Sequence, residues 1–103
     1  MNYLYIDVPD LNDSYSRIVL QGTAYFIRFT YIHSLDCWTF GLYDMQRAPI
    51  IQGIKMIPNY PLTNIYTTAK LPDGQFYVLT NLSRVGRNGF RNGSAKFAFV
   101  TGN

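Results

Sequence analysis

Residues 23–32, TAYFIRFTYI, alternate two sets of side chains without interruption. Thr23, Tyr25, Ile27, Phe29 and Tyr31 fall on one face of an extended chain, and Ala24, Phe26, Arg28, Thr30 and Ile32 on the other. A period of two cannot make the stripe of a helix, whose faces repeat every 3.6 residues. Both sets contain large apolar groups, which marks a central strand with a covered face and an opposite face built for contact. Shorter runs rich in Tyr, Phe, Ile, Val and Thr recur at 2–8, 16–21, 37–43, 49–57, 75–80 and 95–101. Those residues suit a half-buried pleated surface. PDLND, QG and LPDG punctuate them as turns, and HSLD between 32 and 37 has the length of a hairpin loop.

Little in the chain competes with that reading. The sequence contains no Glu, which disfavours long exposed helices. The one helix candidate is PLTNIYTTAK, Pro61 to Lys70, where Pro61 suits a first helical turn but Thr and Asn weaken the interior. The expected fold is therefore all-β: a small, single-domain antiparallel barrel or sandwich over residues 1–103, with at most one short helix.

Composition bears on what such a domain does. Hydrophobic residues make up 48% of the chain and charged residues only 15%. A surface so poor in charge points to a subunit that hides part of itself against neighbours. Five of the six Asp lie before residue 52, whereas six of the nine cations lie after it. That polarity suits head-to-tail contacts or an acidic partner. A single Cys allows no internal disulfide, and MNYLYIDVPD lacks the basic and apolar regions of a signal peptide. A chain made and kept in the cytosol, or assembled there into something larger, is the expectation, with no apolar run near the length a membrane helix needs.

Three places invite chemistry. His33 and Cys37 are a base and a nucleophile by type, but no neighbour plainly orients the imidazole and no oxyanion motif accompanies them. A turn His and a small buried Cys are the expectation, with Trp38 as a core or interface anchor. Asp7, Asp10 and Asp13 recur every third residue, whereas a calcium loop needs acids at every second position with a Gly and a closing Glu. They read as an exposed acidic turn. No phosphate-binding, dinucleotide or metalloprotease signature occurs, so neither an enzyme nor a cofactor is expected. The third place is SRVGRNGFRNGS, residues 83–94, an exposed basic loop in which Phe90 lies between two Arg-Asn-Gly copies. Arg84, Arg87, Arg91 and the following Lys96, with Phe90 as an apolar anchor, are candidate protein-contact residues, and Asp7, Asp10 and Asp13 are candidates on the acidic side. The alternatives are a small β-barrel that uses this loop for nucleic acid, for which a net charge of +3 is small, and a small enzyme using Cys37.

The order of features resembles the small baseplate plug proteins of contractile-tailed phages. RFTYI closes a strand, CWTFGLYD follows its turn, PIIQGIKMIPNYPL leads into a short connection, QFYVLTN is the next strand, and FRNGSAKFAFVTG closes the chain with an aromatic strand. LPDG and the unusually basic loop depart from the family pattern. The resemblance implies a virion structural protein at the start of the tail tube. Its implied partners are hub, tail-tube or tube-initiator, and tape-measure proteins, with several copies in a ring.

Overall fold

The computed structural model describes residues 2–64, 66 and 70–101. Among the described residues, seven strands appear in the seven expected places: β1 (Asn2–Ile6), β2 (Asp13–Leu20), β3 (Thr23–Ile32), β4 (Cys37–Tyr43), β5 (Pro49–Lys55), β6 (Gln75–Thr80) and β7 (Ala95–Thr101). They form two antiparallel sheets, one ordered β1-β7-β6 and the other β2-β3-β4-β5. The architecture is all-β, and β3 takes the interior position that its two apolar faces called for.

The differences from the sequence reading lie at the ends of elements. β2 begins at Asp13 rather than 16, because β3 is long enough to pair with it from Thr30 onward. β1 and β5 stop two residues early. After Lys55 the Met56 amide still donates to Trp38, at 2.9 Å, but the chain then leaves for the other sheet. Pro58 bridges to Val78, and the amides of Asn59 and Leu62 donate to the carbonyls of Val78 and Phe76. The helix candidate at 61–70 is in turns at residues 62–64, and residues 65 and 67–69 lie outside those described. The only helical turn among the described residues is a 3-10 turn, His33–Leu35, in what reads as a hairpin loop. Asp36 closes it in the left-handed region at φ 47°, which lets the chain reverse within four residues.

The inner faces of the sheets meet in an aromatic core. Phe97 of β7 lies 5.4 Å from Phe29, 5.2 Å from Phe40 and 5.6 Å from Phe76, measured between ring centroids. It thus touches β3, β4 and β6 at once. Such ring pairs add about 0.5–1.5 kcal/mol each beyond the area they bury. Trp38, Leu20, Ile27, Leu42 and Val78 are the other large side chains that are fully buried.

The two sides of this sandwich differ. On one, the segment after β5 runs along the edge of β6 and joins the sheets. On the other, β1 and β2 are consecutive in the chain but belong to different sheets. A groove of about 370 Å³ lies between them, lined by Leu4, Tyr5, Ile6 and residues 16–20. The molecule is a sandwich closed along one seam and open along the other.

Candidate protein-contact surface at the basic loop

The segment between β6 and β7 is not the freely exposed loop that its composition suggests. Val85 is 3% exposed, and Phe90 packs against the core. Trp38, the second residue of β4, is the platform. Its indole N–H donates to the Gly86 carbonyl at 3.0 Å, and the Phe90 ring meets it edge-on with centroids 5.9 Å apart. The Arg87 guanidinium lies over the same indole, 5.5 Å from its centre. Within the loop the amides of Gly89 and Asn92 donate to Gly86 and Asn88, and Ala95 donates to Gly89. Gly89 has no room for a side chain: a Cβ there would stand 2.4 Å from Val85 Cγ1. The Gly residues of this loop therefore serve close packing as well as turning.

Charge fixes the loop from outside. Arg87 donates from Nε to Asn12 Oδ1 at 2.6 Å and from its terminal nitrogen to Asp10 Oδ1 at 2.8 Å. Arg91 stands 3.4 Å from the other oxygen of Asp10. Arg84 pairs with Asp36 at 2.9 Å, and Asp36 also accepts a hydrogen bond from the Tyr31 hydroxyl. That bond, which holds the proton on the phenol, pushes the Tyr31 pKa up, with desolvation adding to it. The acidic turn and the basic loop thus meet within one chain, Asp10 serving both Arg87 and Arg91. The expectation that the acidic turn is a free surface fails for Asp10.

The remaining candidates fall in two other places. Asp7, Phe90 and Lys96 border one hollow of about 280 Å³ beside β1 and β7, where the Lys96 ammonium lies 5.3 Å from the centre of the Tyr5 ring. Asp13 is apart from the loop, on the outer face of the four-stranded sheet. Arg28 donates to both its oxygens at 2.9 and 2.8 Å, and Thr30 donates to one of them. The hydrogen bond from Arg28 draws the Asp13 pKa below its ordinary value, against a smaller opposing effect of burial. Sequence reasoning missed Asn12, Tyr31 and Asp36 as partners of this surface. No local pattern marks them: Asn12 and Asp36 take their roles from Arg87 and Arg84, 75 and 48 residues away, and Tyr31 joins through Asp36.

His33 and Cys37 do not form a relay. Cys37 is buried, His33 is exposed with its ring edge-on to Tyr31, and the Asp36 carboxylate between them in sequence is engaged by Tyr31 and Arg84. Among the described residues, no group of three His, Cys, Asp or Glu side chains stands close enough to hold a metal ion.

The all-β sandwich, one edge of which is stiffened by ion pairs and rings, can be set beside known protein families. The family model described as the cyanophage baseplate Pam3 plug gp18 matches residues 1–102. The chain belongs to this baseplate plug family. No protein of curated function matches it. Membership places the chain among phage baseplate components and so in the virion tail, in association with other baseplate proteins, and it implies a structural rather than an enzymatic role. The stretches that carried the resemblance run through β3, β4, β5 and the connection after it, β6, the basic loop and β7.

Proposed function

We propose that this baseplate plug sits where the tail tube begins and contacts hub, tube-initiator and tape-measure proteins, in several copies arranged as a ring. The observation that carries the proposal is the family match over residues 1–102. The role is mechanical. Many weak contacts hold a closed or nucleating state until contraction changes the geometry. Each exposed ion pair contributes only ~0.2–1 kcal/mol, but repetition around a ring multiplies the effect.

Within the loop the geometry supports a division of labour. The Arg87 side chain is 28% exposed and builds the edge by tying the loop to Asp10 and Asn12. Arg84 and Arg91 have side chains 64% and 62% exposed, so both offer guanidinium surface to a neighbour while keeping their internal partners. The three loop arginines already reach carboxylates of their own chain, which favours a protein contact over a phosphate backbone.

The test is Arg84→Glu with Arg91→Glu in a phage that carries this protein. The expected outcome is a variant with unchanged far-ultraviolet circular dichroism that is missing from purified tails by mass spectrometry and electron microscopy. Normal occupancy in normal baseplates would show that these two residues belong to a solvated surface. Arg87→Glu is the contrasting variant: it sets a carboxylate against Asp10 and should lower the stability of the isolated protein itself.

A further inference from the structure

The outer face of the β2-β3-β4-β5 sheet has a composition unlike that of an ordinary solvated sheet face. The strand register sets its side chains in rows. Asp13, Thr30, Thr39 and Lys55 lie across one row, Tyr15, Arg28 and Gly41 across the next, and Arg17, Phe26, Tyr43 and Pro49 across the third. Tyr15 stacks on Phe26 with centroids 5.1 Å apart and meets Tyr43 at 5.4 Å. Arg47, in the turn between β4 and β5, folds back over this cluster, 5.0 Å from the Phe26 ring centre and 5.4 Å from that of Tyr15. It does so from a left-handed backbone at φ 66°, a conformation that costs a branched or long side chain energy and is retained here by the turn. The turn's own carboxylate, Asp44, is spent on the amides of Gln46 and Ala48. Beside the rings runs a polar hollow of about 300 Å³, lined by Arg28, Thr30, Thr39, Tyr43 and Gln52.

Charge on this face is one-sided. Arg17, Arg28, Arg47 and Lys55 stand against Asp13, and Asp13 is taken by Arg28. Among the described residues, no ion pair reaches Arg17, Arg47 or Lys55. We infer that this face is a docking surface for an acidic segment of another tail protein, whose carboxylates are received by the cations that lack an ion pair, beside the Arg47-covered Tyr15–Phe26–Tyr43 cluster. The inference rests on the baseplate reading above and adds a second surface to it, distinct from the basic loop.

Two other occupants fit less well. A single-stranded nucleic acid needs free ring faces for its bases. Here Tyr15 and Phe26 face each other, and Arg47 covers both. A second copy of the chain brings a net charge of +3, and its Asp10, Asp13 and Asp36 are already engaged by arginines. Complementary charge selects partners more than it adds raw affinity, which suits a component that must take one place in an ordered assembly.

The experiment uses assembled tails that carry the protein with p-benzoylphenylalanine in place of Tyr15. Irradiation followed by peptide mass spectrometry identifies what covers the face. The expected result is a cross-link to a segment of a different tail protein that carries net negative charge. Adding Arg17→Gln and Lys55→Gln, which leaves the rings and Arg47 untouched, should cut the cross-link yield about fivefold to tenfold, as expected for the loss of two rim ion pairs. A cross-link to a neutral or basic segment, to a second copy or to nucleic acid would overturn the inference, and so would a face that forms no cross-link in tails that contain the protein. Purified tails that lack the unmodified protein altogether would overturn the baseplate reading, and the inference with it.

Discussion

Trp38 links the core to the surface. Its ring is buried between Tyr31 and the loop, at centroid distances of 5.3 Å to Tyr31 and 5.9 Å to Phe90, while its N–H holds the Gly86 carbonyl. Trp38→Phe keeps most of the apolar contact and removes the donor. Leaving a part-buried carbonyl unsatisfied costs about 1–3 kcal/mol. The expected outcome is a loss of that size in chemical denaturation, with faster amide exchange confined to residues 84–93 and β3 and β4 protected as before. Exchange rising equally in every strand would mean that Trp38 serves the core alone.

Among the elements, β5 shows most clearly how the chain guards a free edge. It begins with Pro49, ends with Lys55, and breaks register with β4 between the pairs Phe40–Ile54 and Leu42–Ile51. Gly53 supplies the irregularity from φ 70°. Prolines, lysines and bulges are the usual means of preventing edge-to-edge pairing. A Cβ at Gly53 meets nothing within 4 Å, so any cost of substitution there comes from the backbone. Gly53→Ala should destabilise by about 1–2 kcal/mol, and Gly53→Asn by less, because Asn tolerates the left-handed region. Equal losses from the two variants in thermal unfolding would show that crowding, not backbone conformation, selects glycine there.

At the scale of the whole molecule, the sheets share a core through Phe97. Its contacts with Phe29, Phe40 and Phe76 span both sheets, so neither can loosen alone. Phe97→Ala should cost about 3–5 kcal/mol, a large part of the ~5–15 kcal/mol by which small domains are stable. Unfolding followed by Trp38 fluorescence, which reports on the four-stranded sheet, should coincide with unfolding followed by circular dichroism. Separate transitions would show that the sheets unfold independently. The open seam between β1 and β2 and the cations without an ion pair on the outer face of the four-stranded sheet are two regions that the described residues do not complete.

The strands were legible in the sequence because their cause is local. Alternation in 23–32 and the turn residues around it act within a few positions, and they place every strand to within about three residues. The likeness to baseplate plugs was legible for the same reason, since it rests on the order of strands and turns. Tertiary structure alone decided which sheet each strand joins, that one seam closes while the other stays open, and where the charged side chains go. Asp10 and Arg87 lie 77 residues apart, and nothing near either one in sequence announces the other. Their pairing follows from Trp38 and Phe90 drawing the basic loop onto β4, which brings it beside the acidic turn. Once there, two opposite charges less than 3 Å apart settle together. Composition showed that the loop was basic, and only packing could show that it was held.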